Sequence, residues 1–220
     1  MVIVNSVVYI QSKLGRPATD VPLGLATFGI GSMVMALLLP KLLETRVDLP
    51  AIMTGAAIIA VSLAAGVGVT QLGMPHEWPA LLGLWFAMGL CYSMTLTPSG
   101  RLPKRSAYPQ DRPAVLAAQF SLSHCCWLFT YPLAGQLAAR FGMTAAFAVL
   151  ATMTAAGFTI AWKVWPANDP DVIVHTHANV KDLDYHLTQG ELTAAASHSH
   201  PYTIDENHPR WPGNRGEEMT

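Results

Sequence analysis

Five stretches of this chain contain no Asp, Glu, Lys or Arg: residues 21–40, 51–72, 79–98, 113–138 and 143–162. Each is 20 to 26 residues long, and a helix rising about 1.5 Å per residue needs about 20 apolar residues to cross about 30 Å of hydrocarbon. The pattern predicts five membrane-spanning helices, so the expected fold class is all-α, a polytopic transmembrane helical bundle. Buried helices of soluble proteins can be equally apolar, but they are usually shorter and have amphipathic neighbours. Only 12% of the residues are charged, about half the share of an ordinary soluble domain.

Residues 1–10 form a shorter apolar run that would cover about 15 Å as a helix, half a bilayer. It reads as the end of a sixth span, and the chain as the C-terminal piece of a longer protein.

Charge divides the chain once. Residues 1–163 carry 10 Lys and Arg against 5 Asp and Glu, whereas residues 164–220 carry 3 against 9. The break at Trp165-Pro166 separates a transmembrane bundle, 1–163, from a polar tail, 164–220. Basic residues mark cytoplasmic loops. Lys41, Arg46, Arg101, Lys104, Arg105, Arg112 and Lys163 fall on one side of the alternating spans, against Lys13, Arg16 and Arg140 on the other. This count places the tail in the cytoplasm.

Within the spans, Gly24, Gly29, Gly31 and Ser32, then Gly55, Gly66 and Gly68, read as residues that let helices approach closely in lipid. In the span at 113–138, Gln119, Ser123, Cys126 and Thr130 recur at helical spacing and share one face. Phe120, His124, Trp127 and Tyr131 form a second stripe beside it. An ionisable group inside a membrane is costly and by default suggests a functional site, although a histidine bonded to a neighbouring helix satisfies the same pattern. In the span at 79–98, Met88, Cys91, Tyr92 and Thr95 approximate another face, with core packing as the plainer reading. The substrate-pathway candidates are therefore Gln119, Ser123, His124, Cys126, Cys91 and Thr95. All three cysteines, Cys91, Cys125 and Cys126, lie in predicted spans and read as free thiols.

The tail has few large aliphatic residues and is expected to be flexible and disordered. It nevertheless holds six of the eight histidines, His175, His177, His186, His198, His200 and His208, interleaved with acids. Imidazole with carboxylate suits divalent nickel, cobalt, zinc or copper, while a merely solvated polar tail is the bland alternative. The acidity of the tail argues against nucleic acid as a partner. No Ser/His/Asp set, phosphate loop or zinc-protease spacing is present, so the chain does not read as an enzyme, and no cofactor is expected beyond a bound divalent metal.

Residues 4–46 resemble the end of the seventh span, the outer loop, the eighth span and the following cytoplasmic turn of a major facilitator superfamily exporter. In that turn Pro40-Lys41-Leu42-Leu43-Glu44-Thr45-Arg46 resembles the superfamily's Gly-x-Leu-x-Asp-Arg signature, with Glu44 at the acidic position and the leading Gly absent. Residues 97–139 are similar to its tenth-to-eleventh-span region, and residues 198–212 resemble the histidine-containing end of bacterial nickel- and cobalt-resistance exporters. The resemblance implies the second half of a twelve-span transporter in the bacterial inner membrane, with Lys41, Glu44 and Arg46 in a cytoplasmic gating turn. It also implies proton-coupled efflux, of divalent metal or alternatively of a small organic compound. The expected partners are the lipid bilayer, protons, a small substrate or metal ion, and either an N-terminal half or a second copy of the chain. A non-transporting truncated membrane protein is the remaining alternative.

Overall fold

The computed structural model describes residues 1–43, 48–73, 75–102, 107 and 109–165, together with the backbone of three short strands beyond them. The body is helical. Helix α1 spans Val2–Val8 and continues into a π-helical turn, Tyr9–Lys13. Then follow α2, Asp20–Leu43, α3, Asp48–Val69, α4, Glu77–Ser99, and α5, Arg112–Val164. Among the described residues four helices are long and apolar enough to cross a membrane, namely α2, α3, α4 and α5. Asp20, Asp48 and Glu77 each stand in the first turn of their helix, where a carboxylate complements the positive end of the helix dipole.

The 53 residues of α5 would form a rod of about 80 Å if continuous, but they are broken at Gly142, whose φ of 83° and ψ of 169° are not helical. Only glycine enters that region without strain. The break leaves arms at 112–141 and 143–164. Arg101 pairs with Asp48 at 3.5 Å, placing the end of α4 beside the start of α3. Gln119 Nε2 donates to the Ser99 carbonyl at this end, while the Thr144 hydroxyl meets that of Thr70 beyond the far end of α3. Phe147 closes on Gly66, one turn back from Thr70 along α3, so the second arm runs back along α3 and the two arms form a hairpin turning at Gly142.

In space α2 packs on α4, α4 on α3, and α3 on α5. The α2–α4 crossing is set by reciprocal glycines: Gly89 faces the Phe28 carbonyl and Gly31 the Phe86 carbonyl, with no room for a side chain at either. Gly55 and Gly66 are similarly closed by Thr95 and Phe147, whereas Gly29 and Gly68 face open space. The core lies where α1 joins the bundle, around Tyr9, Trp85 and Phe147, all fully buried, with centroids 6.0 to 6.5 Å apart. Outside it, Leu37, Leu122, Leu128, Phe129 and Val164 are exposed, the surface a lipid-facing bundle presents.

The tail departs from its expected lack of regular structure. Val172–Thr176 (β1), Glu191–Leu192 (β2) and Ser197–Pro201 (β3) form an antiparallel sheet in the order β1-β3-β2. The run Val172-Ile173-Val174 supplies the β-branched residues that favour strands.

Candidate substrate site

The polar stripe predicted on α5 does not converge on a buried centre. Gln119 is half-buried through its bond to Ser99, while Ser123, His124 and Cys126 are exposed. The Ser123 and Thr130 hydroxyls donate to the carbonyls of Gln119 and Cys126 one turn back. These bonds satisfy the hydroxyls within their own helix.

The neighbouring stripe forms a ladder of rings. Phe120 and His124 have centroids 3.8 Å apart, His124 and Trp127 4.6 Å, and Trp127 and Tyr131 5.7 Å with planes 10° apart. The His124 Nδ1 lies 2.8 Å from the Phe120 carbonyl oxygen. Because a carbonyl only accepts, Nδ1 carries the proton of this bond.

Cys91 and Thr95 lie in the α3–α4 contact. Cys91 is buried, its carbonyl accepts the Thr95 hydroxyl at 3.0 Å, and Thr95 closes on Gly55. Their helix turns Met88 and Tyr92 toward a cavity instead. Lys41 is exposed in the last turn of α2, while Glu44 and Arg46 lie outside the described residues. His175, His198 and His200 fall on strands, whereas His177, His186 and His208 lie outside the described residues. Among the described residues no three His, Cys, Asp or Glu side chains are placed to hold a metal ion.

The cavity, of about 260 Å³, is bounded by every helix of the body. Phe28 comes from α2, Ile59 from α3, Met88 and Tyr92 from α4, and Trp127, Thr130 and Tyr131 from the first arm of α5, with the start of α1 closing one side. Ile59 and Met88 stand at the midpoints of their helices, and Trp127 beside the midpoint of its arm. The site therefore sits at half the depth of the bundle. It joins the ladder at Trp127 and Tyr131, so part of the predicted stripe reaches it although His124 does not.

A second polar centre was not singled out in the sequence. Glu77, 4% exposed, accepts the Tyr9 hydroxyl at 2.8 Å and the Lys13 ammonium at 2.6 Å on the same Oε1. Lys13 also donates to the Thr70 carbonyl at 2.9 Å. Tyr9 and Lys13 are the two ends of the π-helical turn, an irregularity common at functional positions. Nearby the Trp85 indole donates to the Ser6 hydroxyl at 2.9 Å. The available signal was that Glu77 is the single acid between Asp48 and Asp111.

A bundle of apolar helices around a cavity at mid-depth is the arrangement expected of a transporter. The Major Facilitator Superfamily model matches residues 1–188. The chain belongs to the Major Facilitator Superfamily. No curated protein and no solved structure matches it. Members of the Major Facilitator Superfamily are membrane transporters rather than enzymes, and the match covers all five helices and reaches into the tail.

Proposed function

We propose that the chain is the substrate-binding half of a secondary active exporter for a small organic compound, driven by proton entry. The observation that carries this reading is the position of the cavity. Major facilitator transport works by alternating access around a site near the bilayer midplane at the interface of two repeats. On this reading the two arms of α5 are separate spans, giving five crossings with α1 as the end of a sixth, in a bacterial inner membrane. The excess of basic loop residues at the Asp48, Arg101 and Gln119 end supports a cytoplasmic position for that end and for the tail. The Lys13–Glu77 pair then sits at the outer end, where it ties the π-helical turn to α4. On this reading five crossings and α1 correspond to one half of a twelve-span arrangement, and transport needs the other half as well.

A cavity walled by aromatic rings and two thioethers suits an organic solute. Purified protein in lipid nanodiscs, screened by thermal shift against organic compounds and against nickel and cobalt, tests this. Stabilisation by organic compounds that is lost on filling the cavity with Met88→Trp supports it. Stabilisation by metal alone, lost when the tail histidines are changed to alanine, contradicts it.

One observation favours export of a divalent metal as a second reading. The register of the sheet pairs His175 with His198, and His200 follows two residues on in the same strand. Histidine is a donor for nickel or cobalt, and on this reading the tail gathers the ion before transport.

A further inference from the structure

We infer that the cavity selects a flat, uncharged, largely apolar organic molecule and rejects ions of either sign. This inference rests on the reading of the cavity as the substrate site. Among the described residues that line it there is no Asp, Glu, Lys, Arg or His side chain. A charged ligand would give up its hydration and find no side chain of opposite charge among them, and burial of an unpaired charge is among the costliest events in a protein interior.

The rings return to a cation only part of what it loses. A cation gains from an aromatic residue by lying over an open face, and a neighbouring ring shares that space: Trp127 stacks on Tyr131 with planes 10° apart, and Phe28 and Tyr92 lean on each other at 5.6 Å. A flat neutral guest can pair with aromatic rings stacked or edge-on and gives up no charge hydration in doing so, and the hydroxyl-bearing residues Tyr92, Thr130 and Tyr131 suit one polar group on it. An anion meets no basic side chain. A divalent metal would exchange its water for two thioethers, of Met1 and Met88, and a few neutral hydroxyls, a poor set for a hard or borderline ion.

The test uses probes of one skeleton and different charge: naphthol, naphthoate and naphthyl-trimethylammonium, with nickel chloride as the metal. Saturable binding to the full chain in nanodiscs is measured by tryptophan quenching and by calorimetry, against empty discs. Naphthol is expected to bind, with both organic ions about tenfold weaker or worse and nickel leaving the naphthol isotherm unchanged. Ile59→Trp, which fills the cavity, is expected to abolish naphthol binding. Thr130→Asp is expected to bring naphthyl-trimethylammonium to parity with naphthol or beyond. Should Thr130→Asp fail to fold, the wild-type ranking and Ile59→Trp still decide the matter. Equal binding of all three naphthyl probes, or a preference for the cation, overturns the inference while leaving the cavity as a site. A preference for naphthoate overturns it as well. Absence of saturable binding by every probe overturns both the inference and the site reading beneath it.

Discussion

A single methyl group at Gly89 tests the geometry on which the cavity depends. Built there, it would overlap the Phe28 carbonyl oxygen and lie 2.9 Å from that carbonyl carbon and 3.0 Å from the Ser32 nitrogen, where ordinary contact begins at 3.4 Å. All three atoms are backbone, so no side chain can turn aside, and α2 and α4 must part by more than half an ångström. Overpacking of this kind costs about 1–3 kcal/mol, while glycine to alanine in an open helix position gains about 0.5–1 kcal/mol. Gly83 on α4 and Gly29 on α2 face open space and serve as controls. Since the helical gain is common to both variants, Gly89→Ala should be less stable than Gly83→Ala by roughly 1–3 kcal/mol, a difference on the order of 5 °C in thermal midpoint for a chain of this size. Thermal unfolding in nanodiscs followed by tryptophan fluorescence reads it. Gly31→Ala, which meets the Phe86 carbonyl, should behave like Gly89→Ala. Because Met88 and Tyr92 flank this crossing and line the cavity, ligand binding should weaken in the same variant. A Gly89→Ala protein as stable as Gly83→Ala would refute the close crossing and the cavity wall built on it.

Gly142→Ala forces a side chain into a backbone region reserved for glycine, and should cost about 1–3 kcal/mol, measured by the same unfolding. Glu77→Gln removes the charge that pairs Lys13 at 2.6 Å. Because Lys13 is a third exposed, the loss should be about 1–2 kcal/mol rather than that of a fully buried pair, and a double-mutant cycle with Lys13→Met should be less than additive. Trp85→Phe leaves the Ser6 hydroxyl without its donor at 2.9 Å. It should cost about 1–2 kcal/mol, with Ser6→Ala recovering part of the loss in the double variant.

The helices were legible because a membrane imposes a length and forbids charge. The uncharged windows predict α2, α3 and α4 to within a few residues, and the gap between the fourth and fifth windows brackets the break at Gly142. Close packing at Gly31, Gly55 and Gly66 was legible as well, since small residues in lipid have few other uses. Which glycines are tight and which are open was not legible, because that depends on the face each helix turns inward. An almost uniformly apolar helix carries no amphipathic stripe to mark that face. For the same reason Cys91 and Thr95 stood out as polar candidates, whereas Met88 and Tyr92, four residues apart, line the cavity. On α5 the Ser123 and Thr130 hydroxyls bond within their own helix and Gln119 reaches the end of α4, while Trp127 and Tyr131 line the cavity. Glu77 escaped notice because its partners, Tyr9 and Lys13, are far away in sequence and are aligned by a π-helical turn that composition does not signal. The strands of the tail were masked by its acidic, proline-containing surroundings, although Val172-Ile173-Val174 marks the first of them.

The central claim, that the mid-depth cavity is where this transporter holds its substrate, is tested most directly by photoaffinity labelling. A neutral naphthyl diazirine is bound to the full chain in nanodiscs, illuminated, and its attachment points are mapped by mass spectrometry with unlabelled naphthol as competitor. The account predicts competed labels at Met88 to Tyr92 and at Trp127 to Tyr131. Labels confined to the exposed outer faces of α2 and α5, unaffected by competitor, would contradict it.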